Sequence, residues 1–205
     1  MMSRSRWVCL GITVLLGCDA TPSSKSEPPV PVAPAMPTPK TAGPQSTVAD
    51  NGNVLAAPTQ KSFQGIQLTI PAGWEERTPA NEFIQAEYRL TPPEGNIRIT
   101  MSSAGGGKEA NVERWRGQFT RGADDPEAKE ETIVIDGQEA IVVELFGTFR
   151  DGFGGGGEQR NWCMFGAVIP TGPANFFVKM TGPREAVIAQ REAFRDLVTT
   201  AKLGN

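Results

Sequence analysis

Ser102, Ser103 and Lys108 are the neighbouring residues of this 205-residue chain that could pair a nucleophile with its base. A Ser-Lys pair works only when the lysine is desolvated, and Lys108 follows three glycines and precedes Glu109, a setting that reads as hydrated. Gly105 to Lys108 also fall between a strand-like and a helix-like segment, where a phosphate loop would lie. That motif needs glycine at 102 and Ser or Thr at 109. Ser102 and Glu109 stand there instead, and a carboxylate does not replace the hydroxyl that ligates magnesium. Gly152-Phe153-Gly154-Gly155-Gly156-Gly157 has the spacing of a dinucleotide fingerprint. The next segment, Arg160 to Ile169, reads as a strand, not as the helix whose N-terminus meets pyrophosphate. Asp124, Asp125, Glu127, Glu130 and Glu131 offer oxygens, but without the alternating ligands and central glycine of a calcium loop. Glu75 and Glu76 are adjacent, and no spacing specifies the carboxylate pair of a glycosidase. The chain has no histidine, which removes Ser-His-Asp and Cys-His catalysis and imidazole metal sites. No catalytic residue, cofactor or metal is assigned.

The segments that would position these residues read as an α+β domain. Ile66, Leu68 and Ile70 alternate with polar residues, as do Ile84, Ala86, Tyr88 and Leu90, and then Ile97, Ile99 and Met101. Ile133-Val134-Ile135, Asp136-Gly137 and Ile141-Val142-Val143 form a hairpin signal. Trp162 to Ile169 and Phe176 to Met180 are apolar on both faces, as expected of central strands covered from both sides. Val112, Trp115 and Phe119 recur at helical spacing within Glu109–Arg121, with Gly122 as the stop. Gly182-Pro183 opens a second helix whose stripe holds Val187, Phe194 and Val198. The expectation is a largely antiparallel sheet of about seven strands with two packed helices.

The leading strand into Pro71-Ala72-Gly73-Trp74, the antiparallel meander, and a last strand leading through Thr181-Gly182-Pro183 into a helix resemble the PsbP-like α-β-α sandwich. That fold occurs in photosystem accessory proteins, a nuclear-import factor and exported bacterial lipoproteins. The resemblance spans residues 62–205 in element order. It implies an accessory or binding role and carries over no catalytic residue.

Two arginines precede an apolar run of 11 residues, Trp7 to Gly17. As a helix this run spans roughly 16 Å, short of a bilayer core of about 30 Å. A charged start, a short apolar middle and a small residue before a break form the pattern of an export signal. Leu15-Leu16-Gly17-Cys18 resembles the lipobox of bacterial lipoproteins, although Leu16 is bulkier than the small residue common at that place. By that resemblance cleavage falls between Gly17 and Cys18, the Cys18 thiol carries diacylglycerol and the new amine is acylated (palmitate being one such chain). Two or more acyl chains are what stable anchoring requires. Of three cysteines, Cys163 alone then remains in the folded part, as a small core residue.

Residues 1–17 therefore read as a lipoprotein signal peptide and 18–61 as the lipidated cysteine with a disordered tether. From Asp19 to Lys61 there are nine prolines in 43 residues and no periodic apolar pattern, too little to offset the entropy of ordering. Residues 62–205 read as the globular domain. It carries 15 basic and 20 acidic residues, evenly sprinkled. The whole chain has a net charge of −3, without the basic footprint of a nucleic-acid binder.

Together these features describe an exported protein, anchored to a bacterial membrane through lipid on Cys18 and facing away from the cytoplasm. Inner and outer membrane both stay open. The domain is expected to be a non-enzymatic binding or accessory module for an envelope protein or ligand. Phe149, Arg150, Phe153 and Arg160, rings and cations beside glycines, are its candidate binding loop, because loops carry function more often than strands. The alternative is a histidine-free hydrolase or transferase of the envelope. Replacing Cys18 with Ala is expected to release the protein from membranes or to leave unprocessed precursor, as fractionation and mass measurement of the product would show. Unchanged attachment of a normally processed protein would contradict the anchor.

Overall fold

The computed structural model describes residues 52–151 and 157–204. The expected signal peptide, Gly17, Cys18, the tether up to residue 51, and Phe153 lie outside them. Twelve strands and three helices occur among the described residues. The strands are β1 (Asn53–Val54), β2 (Thr59–Phe63), β3 (Ile66–Ile70), β4 (Glu75–Arg77), β5 (Ile84–Leu90) and β6 (Ile97–Ala104), then β7 (Phe119–Thr120), β8 (Lys129–Ile135), β9 (Gln138–Phe149), β10 (Gln159–Pro170), β11 (Asn175–Pro183) and β12 (Lys202–Leu203). The helices are α1 (Lys108–Arg116), α2 (Arg184–Ala189) and α3 (Arg191–Thr199).

Every strand pairing is antiparallel. The main sheet runs β1-β4-β5-β6-β11-β10-β9-β7, with β8 also on β9, and a small sheet runs β12-β3-β2. The expected hairpin is β8–β9. Its turn, Asp136-Gly137, has φ of 50° and 84°, the left-handed pair that a two-residue hairpin turn demands. β10 and β11 lie in the middle of the main sheet, as their apolar runs predict.

All seven expected strands are present. The five unexpected ones, β1, β2, β4, β7 and β12, have two to five residues each, too few for alternation to stand out. Two of them correct the expected boundary at 61/62. β2 pairs with β3 from Thr59↔Ile70 to Phe63↔Ile66, and Leu55 is buried in the main core. Leu55 is bonded through its backbone to the turn before β4: its N–H donates to Trp74 O at 2.9 Å, and its carbonyl accepts from Gly73 N–H at 2.8 Å. The folded domain thus includes Asn53 to Lys61, which proline content and the lack of apolar periodicity had assigned to the tether.

The helices are corrected too. α1 stops at Arg116, not Arg121, because Phe119 and Thr120 pair with Phe149 and Thr148 at the end of β9. Phe119 still meets the apolar cluster of α1, but from a strand. The C-terminal helix is two helices, broken at Gln190 (φ −96°, ψ 9°). There Gln190 N–H reaches back only three residues, to Val187 O.

Strand alternation sorts the apolar residues into two layers. On one face of the main sheet Ile97, Ile99, Met101, Phe165, Phe176, Val178 and Met180 pack under Val187, Phe194, Leu197 and the small sheet's Leu68 and Ile70. Each such fully buried side chain contributes about 1.5–3 kcal/mol. On the other face Val112 and Trp115 of α1 cover Ile141, Val143, Met164, Val168 and Phe177. This second layer depends on Gly166 of β10. A Cβ there would lie 2.6 Å from Trp115 Cζ3 and 3.2 Å from Val143 Cγ2, so the indole rests where a side chain would stand. Gly166→Val is expected to lower stability by about 1–3 kcal/mol, the range for overpacking a filled core. Urea unfolding would measure it, with a loss of Trp115 fluorescence burial as the local sign.

Candidate functional site

Three rows of side chains cross the face of the main sheet that α1 only partly covers. In the first, Arg89 of β5 stands opposite Arg98 of β6, which stands opposite Thr181 of β11. In the middle row Glu87, Thr100, Lys179 and Gly166 are successive partners. In the third, Ile84, Ser102, Phe177 and Val168 follow one another. α1 lies over Val168, Phe177 and Gly166 and leaves the β5, β6 and outer β11 part open. The result is a groove of about 910 Å³, within the range of ligand pockets. Arg114, Trp115 and Gln118 wall one side, Ala80 to Ile84 another, and Phe149, Asp151, Gln159 and Trp162 the end.

Its charges are arranged closely. Arg98 gives Glu87 a two-point bond, Nε to Oε1 at 2.8 Å and Nη2 to Oε2 at 2.9 Å. Ala80 N–H adds a third at 3.1 Å. Burial alone would raise the Glu87 carboxyl. The hydrogen bond and charge of Arg98, the Ala80 amide and the charge of Arg89 outweigh it and hold that carboxyl below its usual range. Lys179 donates to Gln118 Oε1 at 3.1 Å. Its ammonium lies 6.0 Å from the Trp115 ring centre and 5.9 Å from that of Phe149, within reach of cation–π attraction. Burial pushes Lys179 down to about 8; Asp151 opposes this, and the charges of Arg98 and Arg114 add to it.

The loop expected to bind is divided by the structure. Phe149 is buried at the end of β9, 5.1 Å from the Phe119 ring, and lines the groove. Arg150 is exposed and paired with Glu158, and Arg160 is exposed on β10 beside groove-lining Gln159. The glycine-rich run joins β9 to β10 and leads into a strand. Lys108 does not meet the serines through any bond: its ammonium donates to Glu139 O at 2.9 Å. Ser103 Oγ accepts from Gln85 Nε2 at 2.9 Å, and Ser102 lines the groove. Gly106 and Gly107 carbonyls are occupied by Asn175 and Asn111 side-chain amides at 2.7 and 2.9 Å.

The acidic cluster is committed to arginines. Arg184 pairs with Asp125, Arg116 with Glu130 at 2.6 Å, and Arg195 with Glu131 at 2.8 Å. Among the described residues no three His, Cys, Asp or Glu side chains are grouped to hold a metal ion. Cys163 is buried. Burial, with Glu144 adding to it, pushes its thiol far above the ordinary range, so it is inert packing rather than a nucleophile.

The sequence reading missed Arg89, Arg98, Arg114 and Lys179. It took positive and negative charge as evenly sprinkled, whereas these four cations line one groove with Asp151. A signal was present: Lys179 interrupts the apolar run Phe176 to Met180.

The sequence matches no protein-family model, and no curated protein matches it. The solution structure of cyanobacterial PsbP, CyanoP, from Synechocystis sp. PCC 6803 is similar, with a TM-score of 0.50 and 14% identity over 73% of this chain and 94% of that one. The domain has a PsbP-like fold. The crystal structure of LpqN, involved in cell envelope biogenesis of Mycobacterium tuberculosis, aligns with a TM-score of 0.40 and 16% identity over 80% of this chain and 100% of the other.

In this PsbP-like domain Lys179 sets a pH dependence of stability. Its folded-state value lies below the ordinary 10.5, so between about 8 and 10.5 the unfolded chain binds more proton and stability rises with pH. Below about 8 the full cost of burying the ammonium is present. Lys179→Met is expected to be more stable than the native chain at pH 7, with the difference shrinking from pH 8 to pH 10. Urea titrations at each pH would show it, and a constant difference would contradict the burial.

Proposed function

We propose that this chain is an exported, lipid-anchored envelope protein whose PsbP-like domain is a non-enzymatic binding or accessory module. The groove on the open sheet face is its binding site. The observation that carries this reading is the groove itself: a cavity of about 910 Å³ in which cations and rings from β5, β6, β10, β11 and α1 converge. Strand and helix side chains form its floor and one wall, and the segment between β4 and β5 adds Ala80, Asn81 and Phe83. Phe149 belongs to its wall, and Arg150 and Arg160 stand outside it as a cationic margin.

The anchor reading rests on the Leu15-Leu16-Gly17-Cys18 pattern. Among the described residues no helix is long and apolar enough to cross a membrane. The enzymatic alternative has less support, because Lys108 is bound to Glu139 O and away from the open face.

Phe83 is 76% exposed on the groove rim, so a photo-crosslinking benzoylphenylalanine fits there with little disturbance. The same probe at Ile188, an exposed position of α2 outside the groove lining, serves as the control. In the native cells, irradiation is expected to give a discrete adduct from position 83 and none from 188, read by mass spectrometry of the purified chain. Equal labelling at both positions would remove the groove as the binding site.

A further inference from the structure

Cations outnumber acids in the groove, and the acids are already engaged. Glu87 is held by Arg98 and by the Ala80 amide. Asp151 acts on both Arg98 and Lys179, so Arg98, Arg114 and Lys179 have two carboxylates among them, Glu87 and Asp151. Arg89 stands between Glu75 of β4 and Arg98 of β6, so only its Arg98 side is a pairing of like charges, unfavourable by itself. Lys179 feels both Arg98 from β6 and Arg114 from α1 as repulsion. One added negative charge in the middle row would relieve these repulsions together.

The rest of the lining is apolar or aromatic. Phe83 is exposed, Ile84 and Trp162 are half-buried, and Trp115, Phe149 and Phe177 are buried in its lining. The hydroxyls of Thr100 and Ser102 lie between the two kinds of surface. Few polar groups fix a head while rings receive a body, which is the usual make-up of a small-molecule site.

We propose that the groove binds a small amphipathic anion, its acidic head between Lys179, Arg98 and Arg114 and its apolar body along Trp162, Ile84 and Phe83. This names the ligand class for the module proposed above and rests on that reading. Carboxylate and phosphate monoester share the required head chemistry, and the arginines accept either in two-point fashion. The ligand is a single molecule held in a cavity of limited volume, not a membrane surface, since the domain as a whole is acidic and repels anionic headgroups.

The test uses the purified full chain carrying Cys18→Ala, with 11-(dansylamino)undecanoic acid as the fluorescent probe. Saturable binding of one probe per chain is expected, with displacement by dodecanoate or dodecyl phosphate. Methyl dodecanoate, which has the body without the charge, is expected to compete at least tenfold less well. Inorganic phosphate, which has the charge without the body, is expected not to displace the probe at the same concentrations. The stronger of the two amphiphilic anions identifies the head.

Lys179→Met and Arg114→Gln are each expected to weaken the anions about tenfold and leave the ester unchanged. The native chain should lose affinity for dodecanoate as pH rises through 8, and Lys179→Met should not. Circular dichroism of each variant separates this from misfolding. Equal competition by ester and acid, with no effect of Lys179→Met, would overturn the anion while leaving the groove a binding site. Displacement by inorganic phosphate alone, or no saturable binding of any probe, would overturn the amphiphile. The crosslink from position 83 then decides independently whether the groove binds anything else.

Discussion

The seat of Trp115 on Gly166 decides how much of the sheet is covered. α1 has nine residues, about 13 Å at 1.5 Å per residue, while six strands of seven or more residues, spaced about 4.8 Å apart, extend roughly 24 Å across. A helix of that length cannot cover them all, so where it sits determines what is left open. The missing Cβ at position 166 draws the indole down over β10, and Phe177 meets it edge-on at 5.7 Å. The chain then turns at Gly117 into β7, which pairs with β9 and prevents the helix from sliding toward β5. The opposite face has no such gap, since two helices and a second sheet close it.

Lys179 lies on the border this contact creates. One side of it is the Trp115 ring and Gln118, and the other is the open row of Thr100 and Glu87. It is dry enough to lose proton affinity and still lines the groove. Its ammonium costs stability at neutral pH, a pattern common where a site is kept ready for a partner. Arg98 answers the same problem differently, through its two-point bond to Glu87. That bond fixes the guanidinium while leaving N–H groups directed elsewhere. The overall acidity of the domain hides this local excess, because other carboxylates are paired with Arg116, Arg184 and Arg195, none of which lines the groove.

Much of the fold was legible because strand alternation and turn chemistry are local. The central strands, the Asp136-Gly137 hairpin and the apolar stripe of Val187, Phe194 and Val198 follow from residues within a few positions of one another. The short strands did not, since two residues such as Lys202 and Leu203 are a strand only because Gln67 and Ile66 lie beside them. Asn53 to Lys61 read as tether for the same reason: Leu55 has a meaning only once Trp74 is above it. Phe119 kept the helical spacing of its cluster while belonging to a strand, because packing constrains where a ring arrives and not the route the backbone takes.

By itself the sequence determined the α+β class, the exclusion of histidine chemistry and the resemblance of Leu15 to Cys18 to a lipidation signal. Each depends on residue type and near spacing. In the folded chain Arg98, Thr100 and Ser102 share one face of β6, and Lys179 and Thr181 share one face of β11. Only the tertiary structure decided that these two faces are the same surface. β6 and β11 pair across a separation of 83 residues at Arg98 and Thr181, and no local period reports which distant strand becomes a neighbour. Strand pairing joined the cations, the short reach of α1 left them uncovered, and burial beside Trp115 lowered the proton affinity of Lys179.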